Sequence, residues 1–160
     1  KVVAPGTKSS DDAPLAVTLA GTPEVAVKVT YEAGVVLLTN WQDENGNFYC
    51  PLIFTITNGT NTTTVSTANP GINSAEAFQN AIKNAIENVS ATYEPDTNLA
   101  TATGHELKVT WEWPFETGAT ETEKAANNIK DTYLGDKAAE GGTGIPNVTL
   151  GVTATVTQVD

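Results

Sequence analysis

Strict alternation of apolar and polar residues, with threonine as the main polar partner, constrains this chain more than any other feature. The clearest run covers residues 148–157, where each apolar side chain is followed by threonine or glycine. Successive side chains of a strand point to opposite faces, so this run predicts a strand with one apolar face. The chain has 26 threonines and 5 serines, and β-branched threonine suits a pleated surface. The sequence therefore predicts a mainly β protein.

Six further segments are predicted to be strands, from alternation or from the turns that flank them, and together they indicate the kind of β fold. Asn45-Gly46 and Asn58-Gly59 predict tight hairpin turns, because asparagine and glycine tolerate positive φ angles. With the C-terminal run, these segments predict a jelly-roll or Greek-key β-sandwich of about seven or eight strands with inserted helices. The six segments are 15–19, 25–31, 35–41, 48–57, 62–67 and 107–113.

The segment after Asn69-Pro70-Gly71 has a helical period instead. Residues 74–89 place their apolar side chains on one face of a helix. Asn73 with Glu76 predicts a capping box at its start, and Ser74 is the competing cap.

A second helix is predicted at 121–134. Thr120 and Glu123 have the spacing of a capping pair, and Ile129 and Tyr133 are expected on the apolar face. Gly135 is expected to end this helix, because glycine is the commonest residue just beyond a helix C-terminus. Residues 92–104 and the glycine-rich stretch 141–144 are expected to be irregular.

Residues 1–14 are expected to form an N-terminal extension to a single domain of residues 15–160. A short apolar piece precedes Pro5-Gly6 and a polar stretch, so the extension has too little apolar surface to fold alone. We expect it to be mobile unless another surface captures it. The sequence starts at Lys1 rather than methionine, which predicts removal of a secretory signal and an extracellular location.

Charge and composition exclude several functions. The net charge is −11 and all eight basic residues are lysines, so nucleic-acid binding is not expected, because phosphate contacts need clusters of Lys and Arg. No apolar run reaches the roughly 18–20 residues that span a bilayer, so the mature chain is expected not to cross a membrane. Cys50 is the single cysteine, which excludes an intrachain disulfide and predicts a small buried side chain.

Four asparagines stand in the N-x-S/T pattern of glycosylation acceptors. About three such patterns are expected by chance from the asparagine, serine and threonine content, so the pattern permits glycosylation without requiring it. The four candidates are Asn58, Asn61, Asn88 and Asn147.

The residues needed for catalysis are too few for an enzyme, and no cofactor is predicted. His105 is the only histidine, and Val109 stands where a zinc-protease helix needs its second histidine. Trp111 and Trp113 share the parity of core residues, which favours packing over a sugar-binding platform. Because the acidic residues suit solvated turns and surfaces, no metal site is predicted. Calcium bound by oxygen ligands is the alternative, with the candidates Asp43, Asn45, Asp131 and Asp136.

The second half of the chain carries two motifs that together resemble one family. Trp111-Glu112-Trp113-Pro114-Phe115 is followed, after a polar insert, by Asp131-Thr132-Tyr133-Leu134-Gly135 and a terminal strand rich in Val and Thr. Over roughly 107–160 the chain resembles the TasA/camelysin-like family of secreted biofilm fibre proteins and archaeal bundling pilins. The chain lacks a zinc motif, so the metalloprotease label attached to camelysin is not expected to apply.

The resemblance implies a jelly-roll subunit that polymerises head-to-tail by donating its N-terminal strand to the next copy. Val2, Val3 and Ala4, extending to Thr7, would form the donor strand. The acceptor groove is predicted to include Leu150, Val152 and Val156. Identical subunits would be the partners, and filaments would also bundle side by side. The alternative function is a monomeric, secreted surface module that binds carbohydrate or calcium.

Overall fold

The computed structural model describes residues 3–9 and 14–159. In this part of the chain there are seven β-strands, two α-helices and a short 3-10 helix at Gly142–Gly144. The elements are β1 Leu15–Thr18, β2 Val27–Thr39, β3 Ile53–Asn58, β4 Asn61–Val65, α1 Ala75–Glu87, β5 Ser90–Tyr93, β6 Glu106–Glu112, α2 Glu121–Glu140 and β7 Asn147–Gln158.

The strands of the described residues form two antiparallel sheets. Sheet A has the order β1-β6-β3-β4, and sheet B has the order β5-β2-β7. The inward side chains of both sheets share one core, with Val29 from sheet B and Ile56 and Leu107 from sheet A almost fully buried. This arrangement is compatible with the predicted β-sandwich.

Helix α1 extends the core beside β2. Phe78 and Ile82 are fully buried, and the Phe78 ring packs edge-on against Phe54, with 6.0 Å between the ring centroids. Ser74, not Asn73, is the N-cap, because its side chain accepts a hydrogen bond from the backbone N–H of Ala77. The capping box predicted from Asn73 is therefore wrong, and the competing cap is the one used.

Helix α2 is longer than predicted and buries a different face. Its Thr120–Glu123 capping box is confirmed, but the helix passes through Gly135 to Glu140. The residues after the glycine are good helix formers, which offset its cost of about 1 kcal/mol. The predicted apolar residue Ile129 is 62% exposed, whereas Leu134 is fully buried.

Two strand predictions also need correction. Residues 25–31 and 35–41 were expected to be separate strands, but β2 is continuous from Val27 to Thr39. A bulge between Ala33 and Val35 lets the strand pass Gly34 without a turn. The stretch 92–104 was expected to be irregular, but its first two residues belong to β5. This strand forms because Ser90 to Tyr93 pair with β2.

Candidate functional site

The sandwich is open along one side, between the end strands of the two sheets. β1, the end strand of sheet A, has 4 residues, whereas β7, the end strand of sheet B, has 12. β1 is therefore too short to run along the whole of β7. Among residues 3–9 and 14–159, no strand pairs with the outer backbone edge of β7. A long end strand of this kind can serve as a template for an added strand.

The inward side chains of β7 are incompletely covered at this opening. Val156 pairs with the fully buried Val29 and so points inward, yet it is 52% exposed. Leu150 and Val152 share the inward face and are partly buried against the core. The three residues that the sequence nominated as an acceptor thus lie on one face of an edge strand.

A cavity of about 280 Å³ lies at one end of this opening. Its walls come from both sheets and from the N-terminal segment, and most of the lining is apolar. The apolar lining residues include Val3, Leu15, Phe54, Trp111, Val148 and Leu150. We call the opening, with this cavity at its end, the open groove.

The N-terminal segment is captured by its own chain at the groove. The backbone N–H of Gly6 donates to the carbonyl of Trp113, and the N–H of Trp113 donates to the carbonyl of Thr7, both at 2.8 Å. The N–H of Ser9 donates to the carbonyl of Trp111 at 2.8 Å. Residues 6–9 therefore act as a short strand beside β6, in line with β1. Val2 of the predicted donor lies outside the described residues.

A tight turn directs the start of this segment into the cavity. Pro5 and Gly6 occupy its central positions, and Gly6 has a φ of 81°, which glycine adopts without strain. The Thr7 hydroxyl donates to the carbonyl of Ala4 at 2.6 Å and accepts from the Ala4 N–H at 3.0 Å. The turn places Val3, which is partly buried, against the core and in the cavity wall.

The two motifs noted in the sequence meet directly below this segment. Trp113 is buried, and its indole N–H donates to Asp131 Oδ1 at 3.2 Å. The Tyr49 hydroxyl donates to the same oxygen at 2.8 Å. Asp131 thereby ties helix α2 to the end of β6 that holds the N-terminal segment. This contact gives a physical reason for the pairing of the two motifs.

Asp131 is unusual because it is a carboxylate in the interior. It is only 3% exposed, and among the described residues its Oδ2 is a buried atom without a hydrogen-bond partner. Burial raises the pKa of Asp131, and the hydrogen bonds from Tyr49 and Trp113 act in the opposite direction without cancelling that effect. Burial also raises the pKa of Tyr49, so this hydroxyl stays neutral and can donate.

The calcium candidates do not form one site. Asp43 is buried in the hairpin loop, where its Oδ1 accepts from the backbone N–H groups of Asn45 and Asn47 at 3.0 and 2.9 Å. Although burial opposes it, these bonds lower the pKa of Asp43. Asp136 is exposed on α2. Within residues 3–9 and 14–159, no three His, Cys, Asp or Glu side chains group as a metal site.

The four glycosylation candidates are not equivalent. Asn58 is buried, and its side-chain amide donates to the carbonyls of Gly104 and Glu106 at 2.7 and 2.9 Å. In this fold the Asn58 amide is therefore enclosed and engaged in hydrogen bonds. The remaining three candidates are exposed: Asn61, Asn88 and Asn147.

Cys50 and Trp113 behave as the core residues the sequence predicted. Cys50 is fully buried, and burial raises its thiol pKa to about 12, which keeps it protonated and unreactive at neutral pH. Trp113 packs edge-on against Trp41, with 5.7 Å between the ring centroids. Neither described helix is long and apolar enough to cross a membrane.

Comparison with models of protein families, with curated proteins and with solved structures finds no match for this chain. The open groove is therefore the feature of this chain that bears most on its function. Sequence reasoning nominated one wall of it, on β7, and missed the other, the backbone of Trp111 and Trp113. Nothing in the sequence marks those residues as a pairing edge, since the signal lies in main-chain groups that every residue carries.

Proposed function

We propose that this protein is an extracellular structural subunit that polymerises head-to-tail, with the N-terminal segment of one copy entering the open groove of the next. The single observation that carries the proposal is the groove. Within the described part of the chain it combines a twelve-residue end strand, which has no neighbouring strand on its outer side, with partly exposed inward side chains. A donated segment would enter this groove and cover its apolar side chains, which include Leu150, Val152 and Val156 on β7.

The N-terminal segment has suitable chemistry for this groove. Val3 already lies in the cavity wall of its own subunit, next to residues that include Leu150, so a valine at this place in the segment fits the space. A segment that leaves one subunit and enters another makes a heterologous contact, which propagates into a filament instead of closing. The jelly-roll connectivity that the family resemblance implies is part of this proposal.

Side-by-side bundling of filaments would use surfaces with little charge. On sheet B, the outward face of β2 carries Lys28 and Glu32, which cancel, followed by the exposed Val35 and Leu37. The outward face of β7 carries asparagine, threonine and glycine, none of them charged. In a chain with a net charge of −11, two copies would repel each other least through such a face.

Deletion of residues 1–10 is expected to leave a folded domain that forms no filaments. The deletion removes the donor and leaves the strands of both sheets in place. Negative-stain electron microscopy of the full-length and shortened chains at equal concentration is the measurement, with circular dichroism to verify folding.

Two point variants sharpen this test without changing the chain length. Val3→Asp is expected to lose filaments as well, because it puts a charge into an apolar cavity. Ile129→Asp makes the same type of change on an exposed part of α2 and is expected to keep them. Normal filaments from the shortened chain would sink the proposal.

A further inference from the structure

The edge of β6 at Trp111 to Trp113 is the best-defined strand-binding surface on this chain. The chain's own segment already satisfies it with three backbone hydrogen bonds of 2.8 Å. Ser9 adds side-chain bonds, because its hydroxyl accepts from the N–H of Trp111 at 3.0 Å and donates to the carbonyl of Trp111 at 3.2 Å. Ser9 itself is buried. Together these bonds fix both the register and the antiparallel direction of the segment on β6.

We propose that this β6 edge is the docking site for residues 3–9 of a second copy, and that the chain's own segment occupies it until the two exchange. The inference rests on the proposed function and names both the pairing edge and the state of the free subunit. An identical segment from another copy has the same hydrogen-bonding groups and the same valine, so it can reproduce every contact of the intramolecular one. The inward face of β7 then forms the opposite wall of the groove.

Competition between the two segments follows from this arrangement. A segment joined to its own domain has a high effective concentration at the site, so it holds the edge against a neighbour at low protein concentration. Exchange requires the bonds to Trp111 and Trp113 to break and Val3 to leave the cavity. The free subunit is thus self-capped, which covers part of the edge that would otherwise attract other chains.

A disulfide between positions 8 and 112 tests whether the segment must leave. Lys8 and Glu112 are directly opposed in the antiparallel register. The flanking hydrogen bonds, Trp113 N–H to Thr7 and Ser9 N–H to Trp111, make this a non-hydrogen-bonded pair, whose α-carbon spacing of about 4.5 Å suits a disulfide. The variant combines Lys8→Cys with Glu112→Cys, and the buried Cys50 is retained.

The oxidised variant is expected to remain monomeric, and reduction with dithiothreitol is expected to restore filaments in negative-stain micrographs. Filaments from the oxidised chain at the wild-type yield would overturn the exchange. If the wild-type chain and the reduced variant both form no filaments, the proposed function itself fails, which is a different result.

A mixture of single-cysteine chains tests the docking edge without microscopy. The Lys8→Cys chain is mixed with the Glu112→Cys chain under oxidising conditions, and disulfide-linked dimers are measured on non-reducing gels. In a control mixture, the Lys8→Cys chain is combined with a Thr153→Cys chain, whose cysteine lies at an exposed position on β7. We expect the yield of the dimer between positions 8 and 112 to be several-fold higher than the yield from this control. Equal yields, a higher yield from position 153, or no mixed dimer at millimolar protein would overturn the assignment to β6.

Discussion

Replacing Leu150 with aspartate is expected to abolish filament formation while the domain stays folded. Leu150 lies in the wall of the cavity that also contains Val3 and is only partly buried, so a segment that docks from a neighbouring copy would pack against it. Loss of a buried leucine contact of about 2–3 kcal/mol weakens association roughly 30- to 150-fold. The carboxylate must also lose water when the segment docks, which adds to the loss.

The neighbouring Thr149 supplies a matched control for this variant. It lies on the same strand with its side chain on the outward, exposed face, so Thr149→Asp adds the same charge one residue away from the groove. We expect normal filaments from this control, and for both variants a cooperative melting transition at equal ionic strength that shows the domain is folded. Filament loss in both variants would show that charge on β7, and not occupation of the groove, is responsible.

Replacing Asp131 with alanine is expected to lower the free energy of unfolding by about 2–4 kcal/mol. The change removes the acceptor of two hydrogen bonds, one from the half-buried Tyr49 hydroxyl and one from the Trp113 indole N–H, and it leaves that indole N–H buried without its partner. Asp136→Ala, at an exposed position on the same helix, is expected to change stability by less than about 0.5 kcal/mol. Urea titration followed by tryptophan fluorescence measures both variants.

The pH dependence of the Asp131 contribution has a definite sign. Burial raises the pKa of this carboxyl in the folded chain above its ordinary value, so the folded state binds the proton more tightly than the unfolded state does. Its stabilising contribution is therefore complete below the ordinary pKa and is lost as the pH rises through the raised value.

The Asp131→Asn variant isolates this contribution, because asparagine retains an acceptor oxygen but does not titrate. The unfolding free energy of the wild type minus that of Asp131→Asn is expected to be larger at pH 4 than at pH 7. A difference that grows towards pH 7 would contradict the assignment of the raised pKa to burial.

Sequence reasoning succeeded where a local pattern decides the structure. The alternation over 148–157 predicted β7, and the Thr120–Glu123 spacing predicted the capping box of α2. Both follow from the backbone geometry of a few adjacent residues, which makes them independent of the rest of the fold.

Tertiary contacts decide features of the structure that local patterns do not show. Asn58 belongs to a glycosylation pattern, yet the carbonyls of Gly104 and Glu106, which are distant in sequence, enclose its amide. The inner face of α2 is fixed by the bonds of Asp131 to Tyr49 and Trp113, so Ile129 is left outside. No local period contains that information.

For the groove, too, one part could be predicted from a local pattern and the other depends on contacts between residues distant in sequence. Leu150 and Val156 were nominated because their parity on β7 is visible in the sequence. The capture of residues 6–9 by β6 depends on pairing across more than one hundred residues, through main-chain groups that any sequence supplies. The sequence predicted a segment in need of a partner, and the fold provides that partner within the same chain.

A cryo-electron microscopy map of the filaments formed by the full-length chain tests the central claim most directly. The account predicts continuous density in which residues 3–9 of each subunit lie along Trp111 to Trp113 of its neighbour, with Val3 in the neighbour's cavity. A chain that stays monomeric at high concentration, or filaments in which residues 3–9 remain on their own β6, would contradict it.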